Sequence, residues 1–183
     1  MKKYLVIGNP IEHSLSPKLH NFWMKKNNIN AIYKKEKILD SDLKDLIGKV
    51  KKGEISGINV TVPFKKKVID YLDQLSPGSK ITQSVNTISL NGKNLIGYNT
   101  DIDGFELAIK NINFNVLNKK ILILGAGGVV SSIIFALKKL KAQQIIVSNR
   151  TKEKAENLKK LFKDIEIINW GNVPDFDLII NAT

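Results

Sequence analysis

The sequence lacks cysteine altogether and has only one arginine among 183 residues. The absence of cysteine excludes a disulfide framework and a thiolate metal site, and we expect no metal. No apolar run approaches the roughly 20 residues that cross a bilayer, so we expect no membrane partner. The apolar stretch that follows Met1-Lys2-Lys3 is too short for the core of a secretory signal and instead predicts a first strand. These absences favour a cytoplasmic protein.

Positive charge is abundant but is carried almost entirely by lysine. The formal net charge is +12, and a basic balance of this size can indicate a nucleic-acid partner. The lysines occur in ones, twos and threes along predicted helix faces, as on a solvated surface, and no aromatic platform for stacking bases accompanies them. We therefore expect no nucleic-acid binding. Hydrophobic residues make up 43% of the chain, which is enough for an ordinary globular core and excludes a disordered composition.

Alternating strand and helix signals in the first half predict an α/β unit with a largely parallel sheet. The predicted helices begin near Pro17, span 41–52 with Ser41 or Asp40 as the cap, and run from about 64 to 72 behind Pro63. A hairpin is predicted around the turn Asn91-Gly92-Lys93. The predicted strands are residues 4–8, 31–38, 57–62, 85–90 and 94–98.

The second half repeats the alternation and predicts a Rossmann-like domain. Its predicted strands are residues 120–124, 144–148, 165–168 and 176–181, and its helices are 127–140 and 152–162, preceded by a bridging helix over 102–112. An α/β domain that ends on an apolar strand lacks a covering helix, so we expect this domain to be truncated at its C-terminus. The expected domains are 1–101 for substrate and catalysis, 102–116 as a connecting helix, and 117–183 for the dinucleotide.

A glycine-rich turn joins the first strand and first helix of the second half. The sequence Gly125-Ala126-Gly127-Gly128 directly follows an apolar strand. In such a turn the first glycine permits the tight bend, the second lets the backbone approach a pyrophosphate, and the helix N-terminus supplies free N–H groups. The motif inside a strand–turn–helix therefore predicts a dinucleotide site, although Val130 stands where a small residue is usual.

The end of the next strand indicates which dinucleotide binds. NAD sites place an acid there for the ribose 2′-hydroxyl, whereas NADP sites place a basic residue for the 2′-phosphate. This strand is followed by Asn149-Arg150-Thr151, which contains no acid and holds the only arginine of the chain. A guanidinium can grip a phosphate through two hydrogen bonds, and Lys154 adds charge one helical turn later. The sequence therefore predicts NADP.

Polar residues in the first half follow the predicted strands. Ser14 and Ser16 come after the first strand, with Ser16 as a natural N-cap before Pro17, so the loop could hold a carboxylate or could simply cap a helix. Asn59, Thr61 and Lys65 come with the third strand, and Asn86 and Asp101 lie near the two ends of the hairpin. Each is a weak signal alone, because an aspartate in a loop is more often a cap than a catalyst.

Together, the polar motifs resemble the shikimate dehydrogenase family. The resemblance rests on HSLSP at 13–17, NVTVPFK at 59–65, SVNT at 84–87, GYNTDIDGF at 97–105, GAGG at 125–128 and NRT at 149–151, in the family's order. It implies an NADP-dependent oxidoreductase that reduces 3-dehydroshikimate to shikimate in chorismate and aromatic amino acid biosynthesis. It also implies an α/β substrate domain followed by a Rossmann-like domain.

The resemblance assigns roles to the motif residues. It implies that Ser14 and Ser16 hold the substrate carboxylate and that Lys65 and Asp101 are the catalytic pair, with either able to hold the transferred proton. The residues implied to bind ring hydroxyls are Asn59, Thr61, Asn86 and Asp101. Those implied for NADP are Gly125, Ala126, Gly127, Gly128, Asn149, Arg150, Thr151 and Lys154. The partner is a small molecule, and the chain would act as a monomer or homodimer.

Alternatives and departures accompany this prediction. An enzyme of relaxed substrate specificity that also oxidises quinate would share these motifs, and so would a non-catalytic NADP-binding module. The presence of both Lys65 and Asp101 argues against the non-catalytic module.

The chain departs from the family's usual sequence in one loop. The family commonly has Gly-Ala before Val-Asn-Thr, where this chain has Gln83-Ser84. The family also continues for a further C-terminal segment that completes the cofactor sheet.

Overall fold

A computed structural model describes all residues, 1–183, and divides the chain into two compact units, Met1–Asn99 and Thr100–Thr183. Both units are built of strands and helices, in agreement with the predicted α/β class. None of the helices combines the length and hydrophobicity that crossing a bilayer requires.

The first unit contains a six-stranded mixed sheet and three helices. The helices are α1 (Ser16–Lys26), α2 (Leu43–Lys51) and α3 (Pro77–Thr82). The strands are β1 (Lys2–Gly8), β2 (Ala31–Lys37), β3 (Gly57–Val60), β4 (Gln74–Leu75), β5 (Thr87–Asn91) and β6 (Asn94–Tyr98). They lie in the order β2-β1-β3-β5-β6-β4. Strands β1, β2 and β3 are parallel, whereas β5 runs antiparallel to both β3 and β6.

Strand β1 lies near the middle of this sheet and is buried on both faces. Leu5 and Ile7 belong to the larger core cluster, to which α2 contributes apolar residues at helical spacing. Val6 points to the opposite face and packs with Tyr33 in a smaller cluster. Burial on both faces explains why β1 is a continuous apolar run rather than an alternating one.

The second unit contains a four-stranded parallel sheet and three helices. The helices are α4 (Asp101–Asn111), α5 (Val130–Lys139) and α6 (Lys152–Leu161). The strands are β7 (Lys120–Leu124), β8 (Gln144–Ser148), β9 (Glu166–Ile168) and β10 (Leu178–Asn181), in the order β10-β7-β8-β9. This order, with the first strand in the centre and a crossover to β10, is that of a nucleotide-binding Rossmann-like sheet. The buried face of α5 packs on β7 through residues that include Ile134 and Ile123.

One predicted helix was wrong, and two elements were missed. Residues 64–72 form only a short 3₁₀ helix, Lys67–Tyr71. The carbonyl of Lys65 accepts a hydrogen bond from the backbone N–H of Val85, so it does not serve an α-helical turn. Strand β4 and helix α3 were not predicted. Ser76 before Pro77 is a normal start of a helix, and the Ser76 hydroxyl does cap α3 by accepting from the backbone N–H of Ser79.

The predicted helix caps also need correction. Ser16 is the first residue of α1 rather than its cap; Leu15 occupies the cap position, and no side chain caps the helix. Neither Ser41 nor Asp40 caps α2, because both lie in a 3₁₀ turn, Asp40–Asp42, that precedes it. The side chain that serves this turn belongs to Asp42, which accepts from the backbone N–H of Leu39 at 2.9 Å.

The departure at Gln83 has a conformational consequence. Gln83 ends α3 in the left-handed region, with φ 49° and ψ 41°, a conformation that glycine adopts without steric cost. We expect Gln83→Gly to raise the free energy of unfolding by about 0.5–1 kcal/mol, less than the full left-handed penalty because glycine also gains unfolded-state entropy. Urea unfolding measures this change. Gln143→Gly is the control and should destabilise, since Gln143 does not have a positive φ; an unchanged or lower stability for Gln83→Gly would contradict this explanation.

Candidate active site

Six polar residues predicted for the site lie in loops and strand ends at one edge of the first sheet. Strands β1 and β3 are parallel, so their carboxyl ends share an edge, and β5 begins there because Asn59 pairs with Thr87. Beyond these ends the structure brings together the segments that hold Ser14, Ser16, Asn59, Thr61, Lys65 and Asn86. Polar side chains therefore gather where ligands bind in α/β sheets.

The loop after β1 contains the two serines. Both are half-buried, and the backbone N–H of Ser16 donates to the Ser14 hydroxyl at 3.4 Å. The first turn of α1 contains no acidic residue. Two hydroxyls beside a helix N-terminus without an acid form an environment that favours an anion.

The loop after β3 is held close to the end of β1. The backbone N–H of Thr61 donates to the carbonyl of Ile7 at 2.9 Å, and that of Asn9 donates to the carbonyl of Val62 at 2.9 Å. A Cβ on Gly8 would lie 2.6 Å from the Thr61 methyl carbon, so this close approach requires glycine. Gly8 therefore sets the position of Thr61.

Lys65 is fixed through its backbone to the loop that precedes β5 and contains Asn86. The Lys65 carbonyl accepts from the N–H of Val85 at 2.8 Å, and the Asn86 carbonyl accepts from the N–H of Val60, also at 2.8 Å. The side chain of Lys65 is half-buried and has a partner within the protein. A lysine in a run of three is usually solvated, but Lys65 is half-buried whereas Lys66 and Lys67 are exposed.

A chain of side-chain hydrogen bonds connects β2, β3 and β5 at this edge. The Tyr33 hydroxyl donates to Oδ1 of Asn59 at 2.7 Å. Nδ2 of Asn59 donates to the Thr87 hydroxyl at 2.9 Å and to the Asn86 carbonyl at 3.2 Å. The Thr87 hydroxyl in turn donates to Oδ1 of Asn86 at 3.1 Å. Because both hydrogens of the Asn59 amide are used within the protein, Asn59 offers a ligand only an acceptor.

Asp101 belongs to the second unit and is the first residue of α4. It follows Asn99, whose buried amide donates to the Thr82 hydroxyl at 2.9 Å. Asp101 is half-buried and has an interaction partner. Its pairing with Lys65 stays a prediction.

The glycine turn of the second unit joins β7 to α5. Gly125 has φ 116°, and a Cβ there would collide with the carbonyl of Ala182, so this position requires glycine. Gly127 has open space around it, with no atom closer than 3.8 Å to the position a Cβ would take. Helix α5 begins three residues later than predicted, at Val130, because the turn extends through Val129. The side chain of Val130 is fully buried in the core of the second unit.

The residues after β8 lie beside this turn. Strands β7 and β8 are parallel with Leu124 opposite Ser148, and the N–H of Gly125 donates to the Ser148 carbonyl at 2.8 Å. The Asn149 amide donates to the Thr151 carbonyl at 2.7 Å and shapes the loop that presents Arg150. Arg150 is exposed and forms no ion pair with a carboxylate.

Comparison with known proteins identifies the family of this chain. Residues 6–88 match the family model of the shikimate dehydrogenase substrate binding domain, and residues 106–183 match that of shikimate / quinate 5-dehydrogenase. A curated shikimate dehydrogenase (NADP(+)) from Pelagibacter ubique is 59% identical over 182 residues, covering 100% of this chain and 69% of the relative. The chain belongs to the shikimate dehydrogenase family.

Solved structures agree with this membership. The crystal structure of shikimate dehydrogenase from Aquifex aeolicus is 38% identical, with a TM-score of 0.91 over 100% of this chain and 69% of that one. The Thermus thermophilus shikimate 5-dehydrogenase, solved in complex with NADP(H) and shikimate, is 30% identical with a TM-score of 0.89 and the same coverage. The chain thus spans about two thirds of the length of these shikimate dehydrogenases.

The second unit fits NADP, the cofactor named for these shikimate dehydrogenases. The open glycine turn precedes the N-terminus of α5, which suits a pyrophosphate. The loop after β8 offers an unpaired guanidinium and no acid, as a 2′-phosphate requires. The first turn of α6 adds Lys152 and Lys154 against a single acid, Glu153.

Tyr33 and Thr87 belong to the hydrogen-bonded chain at this edge, although neither was among the residues predicted for the site. Thr87 ends the SVNT motif and was therefore visible as a candidate. Tyr33 lies in no motif, and its only sequence signal is an aromatic side chain in a short strand, which is usual for a core residue.

Proposed function

We propose that this protein catalyses the reversible NADPH-dependent reduction of 3-dehydroshikimate to shikimate. The observation that carries the proposal is the set of motif side chains at one edge of the first sheet, in a family whose named members are shikimate dehydrogenases. The proposed site residues are those implied by the motifs, each in the role stated above. We also propose that the protein acts in the cytoplasm as a monomer or homodimer, with domains at 1–101, 102–116 and 117–183.

Reduction of a carbonyl requires a hydride on carbon and a proton on oxygen. NADPH, when bound, supplies the hydride. The motifs imply that Lys65 and Asp101 are the catalytic pair, one of which would give the reacting oxygen its proton and take it back when shikimate is oxidised. The backbone hydrogen bond from Val85 to Lys65 keeps the start of this side chain at a fixed place beside Asn86.

The NADP contacts come from two loops. The N–H groups of the turn 125–128 would hold the pyrophosphate, and Asn149, Arg150, Thr151 and Lys154 would hold the 2′-phosphate. The lack of an acid after β8 supports NADP over NAD, since a carboxylate there would repel the phosphate.

The two serines bind the substrate carboxylate and leave the chemistry to other groups. We expect Ser14→Ala and Ser16→Ala each to raise the KM for shikimate by about tenfold, because each removes one hydrogen bond to a charged group, and at a partly exposed site such a bond is worth about 1.5 kcal/mol, the low end of its range. The kcat should change little, since the carboxylate does not change charge in the reaction. Steady-state kinetics on the whole protein measure both constants. Ser41→Ala is the control, because Ser41 is exposed and lies in another turn; a fall in kcat without a change in KM would contradict the carboxylate role.

Quinate oxidation is the second candidate activity, because the model matched by the second unit describes shikimate / quinate 5-dehydrogenases. The test is the rate of nicotinamide reduction by the whole protein with shikimate or quinate, each with NADP or NAD. We expect the largest kcat/KM with shikimate and NADP. A larger kcat/KM with quinate would replace the first candidate with the second, and no turnover with any pair would overturn both.

A further inference from the structure

The orientation of the Asn59 amide is determined by its surroundings. The carbonyl oxygen of Asn86 can only accept, so the Asn59 atom that lies 3.2 Å from it must be the nitrogen. Oδ1 of Asn59 therefore faces the Tyr33 hydroxyl, which must be the donor. The directions of the Tyr33–Asn59 and Asn59–Thr87 bonds are thus fixed.

Tyr33 reaches Asn59 across an intervening strand. Tyr33 lies on β2 and Asn59 on β3, with β1 between them, and Val6 of β1 is paired with Asn59. Tyr33 packs with Val6 in the same small cluster. Neighbouring strands lie about 4.8 Å apart, so only a long side chain with a polar tip spans two of these spacings.

The tyrosine is held firmly in place. Its backbone N–H donates to Oδ1 of Asn21 at 2.9 Å, and its carbonyl accepts from Nδ2 of the same side chain at 2.8 Å. Its ring stacks on His20, with centroids 4.2 Å apart and planes within 4° of each other. The residue is only 3% exposed, and burial raises the pKa of its hydroxyl to about 12, which keeps the hydroxyl protonated as a donor at physiological pH.

The orientation of Asn59 also affects Asn86, through the Thr87 hydroxyl. The Thr87 hydroxyl accepts from Nδ2 of Asn59 and donates its own hydrogen to Oδ1 of Asn86 at 3.1 Å. This contact turns Oδ1 of Asn86 towards Thr87 and its amide nitrogen the other way. We propose that Tyr33 is a positioning residue of the substrate site, whose hydroxyl orients Asn59 directly and Asn86 through Thr87. The inference rests on the proposed function, in which both asparagines bind substrate hydroxyls.

The variant Tyr33→Phe tests the proposal because it removes the hydroxyl and keeps the ring on His20. In the whole protein we expect the KM for shikimate to rise about three- to tenfold, the size of one lost neutral hydrogen bond, with the KM for NADP unchanged. Tyr71→Phe is the matched control, since Tyr71 is exposed and lies outside the site. Equal changes in both KM values would indicate a merely structural role and overturn the proposal.

A double-mutant cycle separates positioning from general support. In an Asn59→Ala background, Tyr33→Phe should change the KM for shikimate by less than about twofold, because the group it orients is gone. The same three- to tenfold rise in both backgrounds would overturn the proposal.

A spectroscopic readout keeps this inference separate from the proposed function. The side-chain amide resonances of Asn59 and Asn86 in ¹⁵N NMR spectra should shift in Tyr33→Phe but stay in place in Tyr71→Phe. If the wild-type protein does not turn over shikimate, the proposed function fails, yet the resonances still decide whether Tyr33 orients the amides. Unchanged resonances would overturn the positioning role whatever the activity.

Discussion

Replacing Lys65 by alanine is expected to lower kcat by about 10²–10⁴-fold, the usual contribution of general acid–base catalysis. The reacting oxygen must gain a proton as the carbonyl is reduced, and the ammonium of Lys65 is a donor that the variant lacks. The KM for shikimate should change much less, because the proposed substrate ligands Ser14, Ser16 and the asparagines are still present. Steady-state rates with shikimate and NADP measure both constants.

The neighbouring lysine provides the control. Lys66 is exposed, whereas Lys65 is half-buried, so Lys66→Ala removes the same charge from the same segment without touching the proposed site. It should keep kcat within about twofold of the wild type, as expected for a surface substitution. A sharp rise in KM with unchanged kcat in Lys65→Ala would show that Lys65 only binds substrate.

Replacing Arg150 by alanine is expected to raise the KM for NADP by about 10- to 150-fold, because a charged hydrogen bond is worth about 1.5–3 kcal/mol. The 2′-phosphate is present only in NADP, so the KM for NAD should hardly change. Arg150 is exposed and free of ion pairs, so its loss leaves no buried carboxylate unpaired. Initial rates over a range of each cofactor measure the two values.

Two companion variants sharpen this prediction. Lys154→Ala should change the KM for NADP in the same direction but less, since a flexible ammonium makes a less organised contact. Lys159→Ala, at the far end of α6, is the control for charge alone. Added salt should weaken NADP binding more in the wild type than in Arg150→Ala. Equal loss of NAD and NADP binding in Arg150→Ala would mean that the arginine supports the fold.

The second unit was predicted more accurately than the first. The bounds of β7 and β8 were predicted to the residue, because short apolar strands end there at a glycine turn and at Asn149. The start of α5 was placed too early because a run of glycines has no residue that marks where the turn ends. Strand β10 is shorter than predicted, since the backbone N–H of Asp177 bonds to Lys120 just before its ladder begins.

Long-range contacts account for the errors in the first unit. Residues 64–72 have helical spacing, but the Lys65 carbonyl bonds to Val85, a partner twenty positions away. Such bonds leave no local sequence pattern. Gln83 adopts a conformation suited to glycine, which the family's usual Gly-Ala at this place suggests and which the residue itself does not.

The candidate site also contains residues that the sequence predicts and one that depends on long-range contacts. Motif residues such as Ser14, Thr61 and Arg150 could be proposed from the sequence because they follow strands, and the structure confirms that placement. The proposed role of Tyr33 could not be predicted, because it depends on the strand order β2-β1-β3 and on a contact between residues 26 positions apart. Only the topology brings that hydroxyl to Asn59.

Isotope transfer tests the central claim most directly. The whole protein is given 3-dehydroshikimate and NADPH that carries deuterium at the transferable position of the nicotinamide, and the product is analysed by mass spectrometry. The proposed function predicts shikimate with deuterium bonded to the new carbinol carbon. Shikimate formed without deuterium, or no shikimate at all, would contradict it.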